Sequence, residues 1–180
     1  MKKYILLALG LFGFAAIGQE KLEIIDLDEI NNSIALKSQE EDYEGVLEVL
    51  EKINKNDTAY ASSLIRKSYY LMALERYEDA IATIDKGLTM NIGDLKSSFY
   101  QNKGASLIKQ KKLEKAIATF DEGLEIFPAN HLLLYNKAVA LEGSGLLKEA
   151  VKILEQVIAI RPLYAGAYIK LCTIYYAQER

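Results

Sequence analysis

Few residues in this 180-residue chain are of types that act on a substrate or hold a metal: one histidine, one cysteine and scattered carboxylates. His131 follows Pro128-Ala129-Asn130 at the expected start of a helix. As a base or ligand it would need partners, and a zinc centre takes about four Cys, His or carboxylate ligands. One His and one Cys do not build such a centre, so His131 reads as a surface residue at a helix N-terminus. Cys172 lies in a column of small residues and reads as a buried small hydrophobe rather than a nucleophile. A lone cysteine closes no internal disulfide, so stability must come from buried apolar area. Glu40-Glu41-Asp42, Glu48 and Glu51 fall on the outward face of the first unit and read as solvated, not as a hydrolytic pair. Gly143-Ser144-Gly145 follows no strand, so it is a turn between helices rather than a phosphate loop, and no G-x-S-x-G, Walker or G-x-G-x-x-G motif occurs. The expectation is no enzyme, no cofactor and no metal site.

What the chain has in place of a reactive cluster is repetition. Ala80-Ile81-Ala82-Thr83-Ile84-Asp85-Lys86-Gly87-Leu88 returns thirty-six residues later as Ala116-Ile117-Ala118-Thr119-Phe120-Asp121-Glu122-Gly123-Leu124. Ala150 stands thirty-four residues beyond Ala116, and Val46 stands thirty-four before Ala80. A period near thirty-four means stacked copies of one small unit. In the clearest copy, Tyr100, Gly104 and Leu107 share a helical face, and Lys109 to Lys112 is a polar break. A second apolar stripe then runs through Leu113, Ala116, Ile117, Phe120, Leu124 and Ile126 until Pro128 stops it. Two short amphipathic helices joined by a tight turn follow from this spacing. Neither buries its stripe alone, so the units must pack on one another.

This pattern resembles the tetratricopeptide repeat, with Gly104, Leu107, Ala116, Phe120 and Pro128 in the family's small-residue, apolar and closing-proline places. The resemblance implies an all-α fold, a right-handed α-solenoid of antiparallel helix pairs. The expected organisation is a signal peptide (1–18), an N-terminal linker (19–26), four repeats (27–60, 61–96, 97–130 and 131–164) and a C-terminal capping helix (165–180). The first repeat is degenerate, with Val46 in the small-residue place. Two extra residues near Asn91 to Asp94 account for the spacing of thirty-six. The capping helix continues the first-helix phase through Tyr168, Leu171, Cys172 and Tyr175, and Ile169, Ile174 and Tyr176 widen its apolar band. A band this wide is either an interaction surface or a row of tyrosines that tolerate water.

The N-terminus reads separately. Lys2 and Lys3 precede an uncharged apolar run from Tyr4 to Ile17, and Ala16-Ile17-Gly18 offers a small-x-small cleavage site. The run is shorter than the roughly 20 apolar residues of a bilayer span. The layout is that of a secretory signal peptide and no cysteine stands just after the cleavage point, so the expectation is an exported chain, periplasmic or secreted, with no lipid anchor and no stable membrane insertion. Losing those residues leaves 20 basic groups against 25 acidic ones and moves the net charge from −3 to −5. That balance argues against a nucleic-acid partner.

The resemblance also implies that the first helix of each unit lines a concave side. The residues there not used for packing are Ile65, Tyr69 and Met72, then Gln101, Ala105 and Ile108, then Leu132, Tyr135, Val139 and Glu142, then Ile169, Thr173 and Tyr176. This lining is apolar and tyrosine-rich, suited to docking a peptide or helix of a protein partner. Some relatives in the family hold a peptide's terminal carboxylate with lysines and asparagines. Here Arg66 and Lys109 are the nearest cations, and that activity is not carried over. Two expectations stand side by side: an interaction scaffold using the groove, and a self-associating homodimer pairing through the capping helix.

Overall fold

A computed structural model describes residues 26–178. The proposed signal peptide and residues 19–25 of the linker lie outside the described residues. The described chain is all helix and turn: α1 (Leu27–Gln39), α2 (Tyr43–Glu51), α3 (Tyr60–Ala73), α4 (Tyr77–Leu88), α5 (Leu95–Lys109), α6 (Leu113–Ile126), α7 (His131–Gly143), α8 (Leu147–Ile160) and α9 (Ala165–Gln178). Each helix packs on its sequence neighbour, and α3, α5 and α7 also lie side by side. The fold is thus an all-α solenoid, in which a unit touches only the units beside it.

The turns inside the units share one geometry. The amides of Asp42, Arg76, Lys112 and Leu146 donate to the carbonyls of Lys37, Leu71, Leu107 and Leu141, the closing bond of a Schellman turn. That turn needs a left-handed residue just before the donor. Glu41, Glu75, Lys111 and Gly145 take that conformation, with φ of 57°, 58°, 59° and 77°. Only the last unit places glycine there, where the conformation is free of cost. Side-chain caps start three of the helices. Asp26 accepts from the amides of Asp28 and Glu29, Asp42 from that of Gly45, and Asn130 from those of Leu132 and Leu133. Asp42 also meets Lys37 at 2.6 Å, and that hydrogen bond, with the Gly45 amide, holds its carboxyl below the usual range. The acidic run is therefore partly structural rather than merely solvated.

The crossing points are built from size complementarity. Val46, Ala80, Ala116 and Ala150 are all fully buried, one per unit. A methyl group on Gly104 would sit 2.2 Å from Phe120 Cζ, so α5 and α6 meet there at backbone distance. Between units a second rule holds. Gly87 faces Phe99, where an added Cβ would lie 2.2 Å from Phe99 Cζ, and Gly123 faces Leu133 at 3.1 Å. At the same register the first seam carries Ile53 with Ser63, and the last carries Val157 with Ala167, all buried. At each seam a large residue on one helix is matched by a small one on the next: the first and last seams carry the large residue on the earlier helix, and the two middle seams carry it on the later one. This keeps the core at native density without a common residue. Exposed ion pairs repeat at the same seams: Lys67 with Glu51, Lys103 with Asp85, and Lys137 with Asp121. Pairs of this kind add little stability and serve register more than strength.

Two expectations for the last helix are corrected. Cys172 is exposed, not buried, and Ile174 is buried rather than part of the free band. The small-residue column of Gly104, Ala138 and Cys172 faces the second helix of its own unit. Among the described residues no such helix follows α9. Ile174 shares the column of Ala140, which points back at the preceding unit and is covered there.

Candidate functional site

The groove residues are positioned by the first helices of successive units, α3, α5, α7 and α9. Rungs of polar contacts tie α3, α5 and α9 to the first helix of the preceding unit. Arg66 donates to Asn31 Oδ1 at 2.7 Å, joining α3 to α1. Asn102 Nδ2 donates to the Ile65 carbonyl at 3.2 Å and to Ser68 Oγ at 2.8 Å, joining α5 to α3. Lys170 Nζ meets Glu142 Oε2 at 2.8 Å, joining α9 to α7. Arg66, Asn102 and Lys170 occupy one repeat position. The rungs hold the ledge rigid, which lowers the entropy cost of docking on it.

The groove residues are not equivalent. Ile65, Met72, Ile108 and Tyr135 are half-buried and pack against the cores beneath them. Gln101 and Val139 are half-buried as well. Glu142 is neutralised by Lys170, which removes the one acid expected in the lining. Tyr69, Ile169 and Tyr176 remain largely exposed. At the α3 end, Tyr69 and Met72 share a shallow pocket of about 290 Å³ with Ala73, Glu75, Tyr77 and Lys109. The Tyr69 ring stands edge-on to Tyr70 at 5.3 Å, which fixes its orientation.

At the α7 end an aromatic cluster fills the space instead. Tyr164 is edge-on to both His131 (5.4 Å) and Tyr135 (5.2 Å). Burial, and then Tyr135, raises the Tyr164 hydroxyl above its ordinary range. Burial, and then Arg161, pushes His131 below the usual imidazole value. His131 is thus a packed ring rather than a bare surface residue, and its position before Tyr135 by one helical turn was the available signal. Among the described residues no group of three or more His, Cys, Asp or Glu is placed to hold a metal. Nor is any helix long and apolar enough to cross a membrane.

Comparison with known proteins agrees with this geometry. Two tetratricopeptide repeat family models match, over residues 65–131 and 107–165, together more than half of the chain. A TPR repeat-containing thioredoxin, TTL4, from Arabidopsis thaliana is 32% identical over 72 residues, which is 40% of this chain and 11% of that protein. The chain therefore spans about a tenth of that relative's length. The crystal structure of MamA superposes with a TM-score of 0.64 at 18% identity, covering 81% of this chain and 84% of MamA. The first TPR of Spaghetti (RPAP3), solved with the HSP90 peptide SRMEEVD, superposes with a TM-score of 0.60 at 20% identity, over 69% of this chain and 97% of that one.

Proposed function

Because this chain belongs to the tetratricopeptide repeat family, we propose that it is a non-enzymatic protein-interaction scaffold that docks a peptide or helix of a partner along the face of α3, α5, α7 and α9. The observation that carries this is the exposure of Tyr69, Ile169 and Tyr176 on a ledge where Ile65, Met72, Ile108 and Tyr135 are half-buried and Glu142 is paired with Lys170. Large apolar side chains held rigid and wet are the usual anchors of recognition. That a structural neighbour holds a short peptide supports the same class of partner. The partner segment should be apolar or aromatic rather than strongly acidic, since Glu142 is already paired and Arg66 is engaged by Asn31. The basic-then-apolar N-terminal run supports an exported setting, periplasmic or secreted, which fractionation of tagged protein would test. A photo-crosslinking residue placed at Tyr69 should yield one discrete adduct in the native host. The same residue at exposed Lys152 on α8 should yield none. Equal adducts from both positions would remove the groove.

A second reading has its own observation. Tyr168 and Tyr175 on α9 are 44% and 48% exposed, where their repeat counterparts Leu134 and Leu141 are 6% and 5%. A second copy pairing through this face would cover it, with Lys170 already neutralised. Light scattering decides: a monomer at all concentrations ends this reading, and a dimer dispersed by Tyr175→Asp sustains it.

A further inference from the structure

The first seam differs from the others in more than its Ile53–Ser63 pair. α2 is nine residues long and stops at Glu51, whereas α4 reaches Leu88, one turn further at the same register. The chain instead turns at Asn54, whose amide donates to Asp57 Oδ2 at 2.7 Å. The missing turn opens a pocket of about 380 Å³ between α2, α3 and α4. Its floor is apolar, made by buried Leu50, Ile53 and Leu64 with the Tyr60 ring. Its rim carries Lys55, Lys67 and Lys86 against a single acid, Glu51. That is a local excess of two positive charges in a chain whose net charge is −3.

Two of these lysines are placed by contacts. Lys67 Nζ lies 2.9 Å from Glu51 Oε1, and Lys86 Nζ stands 5.3 Å from the centre of the Tyr60 ring. The second contact parks an ammonium over the aromatic wall, available to an anion at the mouth. The excess belongs to this seam alone: the repeat counterpart of Lys86 is Glu122 in the next unit, where Phe99 fills against Gly87. On α3 the pocket residues Ser63 and Lys67 lie roughly opposite Ile65 and Tyr69, at about 100° per residue. The pocket is therefore separate from the groove.

We propose that this pocket binds a small organic anion with an apolar body, in its simplest form a medium-chain carboxylate. The volume falls in the range of small-ligand sites. The apolar floor takes the body, and Lys55 and Lys86 receive the carboxylate in charge-assisted hydrogen bonds. No large neutral or cationic ligand gains from this rim.

The test is a titration of the full chain with octanoate, followed by amide NMR, alongside octanamide and octylammonium. Shifts should saturate and be confined to residues 50–67 and 83–86. Lys86→Met and Lys55→Met should each weaken binding about three- to fivefold, the range of an exposed charge contact. Lys86→Arg should retain it, and Tyr69→Ala should change nothing. Octylammonium should fail to compete. Equal binding of octanoate and octylammonium, unchanged affinity in both methionine variants, or shifts spread over α9 and the groove would each overturn the proposal as non-specific adsorption to apolar surface.

Discussion

The face of α7 that carries Leu134, Ala138 and Leu141 and the face of α9 that carries Tyr168, Cys172 and Tyr175 are one repeat position thirty-four residues apart. On α7 it is core, because α8 lies on it with Ala150, Leu154 and Val157. On α9 it is open. The difference teaches that register decides which way a position points, while the next helix decides whether it is buried. Faces that meet a helix hold the solenoid together, and faces left over are where recognition can happen.

The strongest way to break this comparison is at a seam, where the large–small rule should allow exchange. Phe99→Ser alone empties the second seam and should cost about 3–5 kcal/mol. Gly87→Ile alone drives a side chain into the Phe99 ring and should cost about 1–3 kcal/mol. Made together they reproduce the Ile53–Ser63 arrangement, and urea unfolding should show a favourable coupling of about 1–3 kcal/mol. Additive losses would mean that the seams are not interchangeable. The next effect compares the two helices directly. Leu141→Ala should cost about 2–4 kcal/mol, whereas Tyr175→Ala at the same repeat position should cost below about 1 kcal/mol.

A smaller effect sharpens the turns. Gly145→Ala should destabilise by about 1 kcal/mol, and Lys111→Gly should stabilise by up to about 1 kcal/mol, because both sit in the left-handed column. Opposite signs from the same column would be the evidence. The smallest effect is the pH response of the α7 end. Burial and Arg161 lower the His131 pKa in the fold, so the unfolded chain takes a proton first as pH falls below the ordinary imidazole value of 6.5. Stability is therefore fully present above that value and is lost as pH falls toward the folded pKa. His131→Gln should flatten the melting temperature between about pH 7.5 and 5.5 relative to the parent.

Much of the architecture was legible because helix periodicity and a thirty-four-residue period are both carried by residue type. Ala80, Ala116, Ala150 and Pro128 announce crossings and stops without any partner being known. The fate of Cys172 was not legible, since column logic assumes a following helix and α9 has none among the described residues. Glu41, Glu75 and Lys111 gave no sign of their left-handed turns, because only Gly145 shows that preference in its chemistry. The seam rule was readable in principle from Ile53/Ser63 and Gly87/Phe99, but it depends on pairing residues ten to twelve apart across a turn. In the groove, Tyr69 and Ile169 stand exposed, while Tyr135 turned out to be half-buried against Tyr164 and Glu142 to be paired with Lys170. Those contacts join residues twenty-eight or twenty-nine apart in sequence and leave no local pattern. The pocket at the first seam arises from a helix ending one turn early, a boundary that spacing alone defines poorly.

The most direct measurement of the account separates holding from binding in a single pair of variants. Tyr69→Ser with Ile169→Ser removes two exposed groove side chains, and Leu154→Ala removes one buried beneath α7. Thermal unfolding and capture of the partner identified by crosslinking at Tyr69 should be read on both. The groove variant should melt within about 2 °C of the parent yet lose capture at least tenfold, while Leu154→Ala should melt several degrees lower and, below its transition, still capture. A groove variant that captures as well as the parent would contradict the assignment of function to the free face.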